Sequence, residues 1–280
     1  MLLSREHVID LTPLWDGPRS DDGRPLPDQA DLDALAVATA EHAWSVLDKA
    51  GYRAQYVGGW TQSNPGRPFV GRALTCGFMP FRADFNESVV REGLAIGQTV
   101  GDRQNTWVIE ALGPGDCLVA DIFGKVVNGT VVGDNLGTAV VSRTGVGAVI
   151  DGGVRDLSGL RELDANFYFR DTDPTPIRDV VLSSMNGPIM IGGTTVLPGD
   201  VVLGTELGVT FIPPHLVSEV AQVSLRTAHR DLFGKQRLAE RVYTTTEIDT
   251  PTWAPHIEAD YQEWTRSNPV RVPQPSGTAR

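Results

Sequence analysis

The stretch Val131-Val132-Gly133-Asp134-Asn135-Leu136-Gly137, followed by Val146-Gly147-Ala148-Val149-Ile150-Asp151-Gly152-Gly153-Val154-Arg155-Asp156, decides the architecture. Each piece is a short apolar run, rich in valine, that ends in glycine and aspartate. The first leads into a helical pattern through Ala139, Val140, Val141 and Arg143, the second into one through Leu157, Leu160 and Leu163. β-Branched runs suit a pleated strand, and apolar residues three and four apart suit one face of a helix. Two strand-to-helix units in succession predict a βαβ segment with parallel strands. The fold class is therefore α/β rather than an all-β sandwich.

Outward from this centre, Pro114-Gly115-Asp116 and Pro198-Gly199-Asp200 open two similar stretches 84 residues apart. Each reads as a Pro-Gly-Asp turn, an apolar strand, a turn carrying glycine and a second strand, so the expectation is one β-hairpin unit used twice. Residues 68–80 alternate as a strand. A helix is expected from about Gln29 to Ala50, with Gly51 as its stop, and another from Asn86 to about Val100. Pro213-Pro214 opens a long helix to about Arg241, because proline is tolerated in a first helical turn. The expected organisation is an irregular N-terminal arm (1–28), a single domain (29–241) and an acidic, aromatic C-terminal tail (242–280) whose last dozen residues are disordered.

The composition limits the partners. Among 280 residues, 41% are hydrophobic and 21% charged, enough for a sizeable core. Lys+Arg 24 against Asp+Glu 35 gives a net charge of −11, which argues against nucleic acid as a partner, since that affinity comes from Lys and Arg on phosphates. No run approaches the roughly 18 apolar residues of a membrane span. No signal-peptide core follows Met1-Leu2-Leu3, so a cytoplasmic protein with no membrane partner is expected. Cys76 and Cys117 are expected to be ordinary buried thiols. His7, His42, His215, His229 and His256 are scattered without ligand spacing, which points away from zinc. A Gly-x-Ser-x-Gly elbow, a phosphate loop, Gly-x-Gly-x-x-Gly and His-Glu-x-x-His are all absent.

Chemistry is carried instead by Gly133-Asp134-Asn135-Leu136-Gly137 and Arg155-Asp156, both at points where a strand hands over to a helix. Strand C-terminal ends are where α/β sheets bind ligands, and exposed N–H groups at a helix start attract anions. An aspartate at such a position also serves as an N-cap, and that alternative stands beside the functional one. Arg155 adds a guanidinium that recognises a carboxylate bidentately, while carboxylate oxygens suit Mg²⁺ or Mn²⁺. Together these residues form a site for a metal and a 2-oxo acid.

The spacing of Asp134, twenty intervening residues and Arg155-Asp156 resembles the signature of the 4-hydroxy-4-methyl-2-oxoglutarate aldolase family. That family also holds the regulator of ribonuclease E activity A and proteins labelled demethylmenaquinone methyltransferase-like. Val70-Gly71-Arg72-Ala73-Leu74-Thr75, both Pro-Gly-Asp turns and Gly192-Gly193 support the resemblance, which covers roughly residues 35–240. It implies a swivelling β/β/α three-layer fold, assembled as a trimer or hexamer with active sites between subunits. It implies that Asp156 holds the divalent metal, partly through water, and that Asp134 orients a water on that metal or the substrate. Arg155 pairs with the substrate carboxylate or keto oxygen, helped by main-chain N–H groups near Gly133, Asn135 and Leu136. An acid from a neighbouring subunit, Asp231 or Glu206, completes the metal's water shell. The long arm and the acidic tail depart from the shorter family members.

The chemistry that follows is a class II cleavage of a 4-hydroxy-2-oxo acid. Breaking its C3–C4 bond leaves a pyruvate enolate, whose charge a metal and Arg155 stabilise; oxaloacetate decarboxylation passes through the same enolate. A lysine Schiff base is the metal-free route, but Lys49, Lys125 and Lys235 all lie outside the motif. The alternatives are a non-enzymatic protein that regulates a ribonuclease by contact, and a lyase or hydratase acting on another sugar-derived acid.

Overall fold

In the computed structural model, which describes residues 4–98 and 103–270, the chain begins with an arm carrying helix α1 (Arg5–Leu11). Then follow α2 (Gln29–Ala34), α3 (Ala40–Lys49), short strands β1 (Tyr56–Val57) and β2 (Thr61–Gln62), the long strand β3 (Phe69–Pro80), α4 (Ala83–Ala95) and α5 (Asn105–Glu110). The centre holds β4 (Asp116–Asp121), β5 (Thr130–Val132), α6 (Asp134–Thr144), β6 (Ala148–Val154), α7 (Leu157–Glu162) and β7 (Phe167–Thr172). The remainder is β8 (Val180–Met185), β9 (Ile189–Ile191), β10 (Thr194–Val196), β11 (Val201–Thr205), β12 (Gly208–Ile212), α8 (Val217–Ala239), α9 (Thr245–Ile248) and α10 (Pro255–Ser267).

One large mixed sheet runs in the order β1-β12-β11-β3-β4-β6-β7-β2, with β5 attached to β6 and β8 to β3. The steps β3–β4, β4–β6, β5–β6 and β6–β7 are parallel, as the two strand-to-helix units require. Side chains alternate across this parallel part. Leu74, Leu118, Ala120, Ala148, Ile150, Phe167 and Phe169 bury one face in a cluster with Trp107, Val140 and Leu160 of α5, α6 and α7. Ala73, Cys117, Val119, Val149 and Tyr168 bury the other face against Val202, Val209 and Phe211 of β11 and β12. The reverse side of β11 and β12, through Val201, Leu203 and Ile212, packs on α2, α3 and α8. The sheet thus closes over one inner core and carries helices outside, the expected β/β/α layering in an α/β fold. Both cysteines are free and buried, and burial pushes both thiols up.

Three local expectations are corrected. The helix expected over 29–50 is broken: Ala38 is extended (ψ 140°), and Thr39 restarts the helix as a capping box with His42. A threonine whose hydroxyl takes up a free N–H favours a new start over continuation. The helix expected to begin at Asn86 begins at Ala83 and ends at Ala95; residues 99–102 lie outside the described ones. The repeated hairpin is half right. β11 and β12 form a hairpin, whereas β4 lies between parallel neighbours β3 and β6. What recurs is the turn itself. Gly115 (φ 76°) and Gly199 (φ 87°) both take left-handed geometry. In each, the N–H three residues ahead of the aspartate donates to its carboxylate: Gly113 to Asp116 at 2.9 Å, Leu197 to Asp200 at 2.8 Å.

At the chain ends, the arm is fastened by Arg24, whose Nη2 lies 2.9 Å from Asp116 Oδ2 with both groups buried. Trp253 and Ile257 of the tail bury themselves against Phe233 of α8. The Arg230 guanidinium stacks over Trp253 at 3.7 Å from the ring centre. The disordered end expected for the last dozen residues falls mostly on 271–280, outside the described residues. No helix among the described residues is long and apolar enough to cross a membrane.

Arg24 and Arg72 pair with Asp116 in the first turn, but among the described residues no ion pair reaches Asp200 in the second. Burial pushes the Asp200 carboxyl up to about 7, and the Leu197 N–H only partly opposes this. Its folded value lies above its unfolded one, so this group's contribution to stability falls as pH rises from about 4 to about 7. Asp200→Asn should therefore gain stability relative to the parent as pH is taken from 5 to 8 in urea denaturation. A pH-independent difference between the two proteins would contradict a buried, unpaired carboxyl.

Candidate active site

β5 runs into Gly133 and β6 runs into Arg155, and the parallel pairing of Thr130 with Gly153 and Val132 with Val154 keeps the two ends in step. The Arg155 N–H donates to the Val132 carbonyl at 3.1 Å, extending that pairing by one residue. Both strand-to-helix turns therefore stand side by side at the C-terminal edge of the sheet.

Neither aspartate caps its helix. The N-cap of α6 is Gly133, and Asp134 is the first helical residue, with its Oδ1 accepting from the adjacent Asn135 N–H at 2.7 Å. Asp156 occupies the N-cap position of α7, but its side chain makes no capping hydrogen bond and its backbone is left-handed (φ 53°, ψ 43°). A non-glycine residue in that region carries strain that caps usually avoid. The Asp156 carboxylate is 44% exposed, and its neighbour Arg155, 43% exposed, approaches it with Nε at 3.4 Å. An exposed pair of this kind is worth little, so guanidinium and carboxylate both remain accessible. Asp151, in the same motif, differs: it is buried and accepts from Arg170 Nε at 2.6 Å and Gly192 N at 3.1 Å. Its role is to hold β6, β7 and the Gly192 turn together.

Two glycines bring the turns into contact. A Cβ at Gly133 would lie 2.5 Å from Asp156 Oδ2 and 3.0 Å from both Cγ and Nε of Arg155. A Cβ at Gly159 would lie 2.6 Å from Asp134 Cβ. Each turn therefore leaves out a side chain where the other places its aspartate. Gly133 stands in the motif quoted from the sequence; the part of Gly159 in seating Asp134 was not legible there, because it depends on how α6 meets α7.

Of the other expected site residues, Asn135 is exposed at the α6 start and Leu136 packs partly against the helix-side core. Asp231 lies on α8 and Glu206 in the turn between β11 and β12. Among the described residues no cluster of three His, Cys, Asp or Glu side chains is placed to hold a metal ion, so neither acid joins Asp134 and Asp156 within one chain. Two exposed carboxylates from the chain fit Mg²⁺, which keeps several waters and takes one or two carboxylates, and do not fit a closed zinc site. The histidines have local duties: His42 in the capping box, His215 beside Tyr52, and His229 between Tyr261 and the Asn268 carbonyl.

The glycine packing has separable consequences. Gly159→Ala forces a methyl onto Asp134 Cβ, fixed to the α6 backbone, at an overpacking cost of about 1–3 kcal/mol. Gly133→Ala meets mainly the ends of movable side chains and should stay within about 1 kcal/mol of the parent. Urea denaturation checks both. An unchanged Gly159→Ala protein would show that Asp134 is not seated against that glycine.

Comparison with known proteins places the chain in a family. A protein of Halalkalibacterium halodurans, provisionally named a 4-hydroxy-4-methyl-2-oxoglutarate aldolase, is 27% identical over 161 residues, covering 56% of this chain and 75% of its own. A Deinococcus radiodurans protein with the same provisional name is 31% identical over 132 residues, 46% of this chain and 81% of its own. Among solved structures, Streptomyces coelicolor RraAS2, described as an unusual member of the RNase ES inhibitor RraA family, superposes with a TM-score of 0.64. It is 25% identical and covers 76% of this chain and 98% of its own. An uncharacterised Pseudomonas syringae protein shares the fold with a TM-score of 0.67 at 20% identity, covering 84% and 98%. The RraA-like family profile, described as Aldolase/RraA, matches residues 29–211, and the chain belongs to that family.

Proposed function

We propose that this protein is a divalent-metal-dependent carbon–carbon lyase that cleaves a 4-hydroxy-2-oxo acid to pyruvate and a carbonyl product, and that it also decarboxylates oxaloacetate. The observation that carries this reading is the pair Arg155-Asp156: a carboxylate that caps nothing, held in strained backbone beside a half-exposed guanidinium at a strand end. Asp156, with Asp134 through water, would hold Mg²⁺ or Mn²⁺, which supplies Lewis-acid stabilisation of developing negative charge. Arg155 binds the substrate carboxylate or keto oxygen and favours the oxygen that gains charge as the C3–C4 bond breaks. Asp134 orients the water that takes the C4 hydroxyl proton. As that proton leaves, C4 becomes a carbonyl, the C3–C4 electron pair becomes the enolate, and protonation at C3 releases pyruvate.

The three side chains stand exposed on a single chain, which supports a site completed by a second subunit in a trimer or hexamer. Asp231 or Glu206 is then the acid it contributes. A second reading, a protein that regulates a ribonuclease by contact, is favoured by the likeness to Streptomyces coelicolor RraAS2.

Pyruvate release from oxaloacetate and from a panel of 4-hydroxy-2-oxo acids, coupled to lactate dehydrogenase, tests the reading. Release should require Mg²⁺ or Mn²⁺, stop with EDTA, and fall at least about a hundredfold in Arg155→Ala and Asp156→Ala. Melting temperatures should stay within a few degrees, since no core group is lost. Metal-independent release, or a fully active Asp156→Ala, would remove the metal assignment, and no release from any substrate would favour the regulatory reading. Sedimentation should show a trimer or hexamer; a clean monomer would exclude a shared site.

A further inference from the structure

A cavity of about 340 Å³ is walled by the end of β3, the first turns of α4 and α5, and the loop that leads into β8. None of Asp134, Arg155 and Asp156 lines it. Phe78, Phe81, Ile177 and Val180 give it apolar walls. Its polar side chains divide into spent and open ones. Gln104 and Asn105 are buried. Gln104 Oε1 accepts the Leu182 N–H at 2.7 Å, and its Nε2 donates to Asn86 Oδ1 at 2.8 Å. Asn105 Nδ2 donates to the Val131 carbonyl at 2.7 Å, and its Oδ1 is shielded from solvent, so a ligand does not reach it.

The open groups are Asn86 Nδ2, the Arg178 guanidinium and the Asp179 carboxylate. Both charged residues are exposed, and among the described residues neither side chain makes a hydrogen bond or an ion pair, with the other or with any third group. Their main chain is fixed at both ends. The Arg178 N–H donates to the Asn128 carbonyl at 2.8 Å, and the Asp179 carbonyl accepts the Phe81 N–H at 2.9 Å. Asp179 itself is left-handed (φ 58°), a region that aspartate and asparagine tolerate better than other side chains. Consecutive Cα atoms stand about 3.8 Å apart, so a cation and an anion are offered side by side without neutralising each other. A ligand with one charge would meet repulsion from the other: Asp179 disfavours the oxo acids assigned to cleavage, and Arg178 disfavours simple amines.

We propose that this cavity is a second small-molecule site, which binds a free aromatic α-amino acid. Such a molecule carries a carboxylate and an ammonium on one carbon, the spacing that two consecutive charged residues match. Its carboxylate lies on the Arg178 guanidinium with Asn86 Nδ2 as a further donor, and its ammonium lies on Asp179. Its ring packs among Phe78, Phe81 and Ile177, apolar walls with a few polar groups that set orientation. The site uses none of the residues assigned to carbon–carbon cleavage and stands whether or not that reaction does.

Isothermal titration of the full chain near neutral pH with L-phenylalanine tests this, beside 3-phenylpropionate and 2-phenylethylamine, which each lack one of its charges. L-Phenylalanine should bind at one site per chain and about tenfold more tightly than either analogue. Arg178→Gln should erase its advantage over 2-phenylethylamine, and Asp179→Asn its advantage over 3-phenylpropionate. Both residues are exposed, and asparagine keeps the left-handed backbone, so both variants should melt with the parent. No binding of L-phenylalanine at millimolar concentration, an analogue bound as tightly, or an affinity indifferent to either substitution would each overturn the proposal.

Discussion

The arrangement depends on the parallel pairing of β3, β4, β6 and β7, whose side chains are buried on both faces. A one-residue slip would exchange Leu118 for Val119 or Ile150 for Val149 between two differently shaped cores, so the register is fixed from both sides. Because β6 cannot slide, its end is fixed, and β5 pairs to it with Val132 opposite Val154. The positions of Asp134 and Asp156 follow from where those strands stop. The precision of the candidate site is thus borrowed from hydrophobic packing several residues away.

Aspartates in this chain acquire their roles from neighbours. Asp116 lies between Arg24 and Arg72 and ties the arm to the sheet, while Asp151 is spoken for by Arg170 and the Gly192 turn. Asp200 repeats the turn that holds Asp116 but meets no arginine among the described residues, and burial pushes its carboxyl up to about 7. Asp134 and Asp156 alone among these five stand on the surface at strand ends with their carboxylates turned to no arginine beyond Arg155. An exposed carboxylate there suits a hydrated divalent ion, whereas a buried one serves as a fastener.

The segments outside the family match are built into the domain rather than appended to it. The arm reaches the sheet through a buried ion pair, and the tail covers α8 with an aromatic cluster in which Phe233 meets Tyr243, Trp253, Tyr261 and Trp264. Clusters of this kind bury much area per residue and add edge-to-face contacts. They give this chain surfaces that the matched region does not have.

Local patterns made much of this legible. The valine runs ending at Gly133-Asp134 and Arg155-Asp156 announced two strand-to-helix units, their spacing pointed to the family, and the twelve-residue β3 followed from its alternation. Such signals survive in sequence because strand period, helix period and turn glycine are short-range properties of the chain. The break at Thr39 was misread because a threonine cap competes with an otherwise continuous apolar face. The Pro-Gly-Asp echo misled because a turn motif specifies the bend and not the partner of the strand that follows. Only the tertiary structure decided that β4 pairs in parallel, that Asp151 belongs to Arg170, that Gly159 makes room for Asp134, and that Arg178 and Asp179 share a cavity with Phe78 and Asn86. Each of these joins residues distant in the chain or on separate elements, and such contacts are set by how layers pack, which no local pattern encodes.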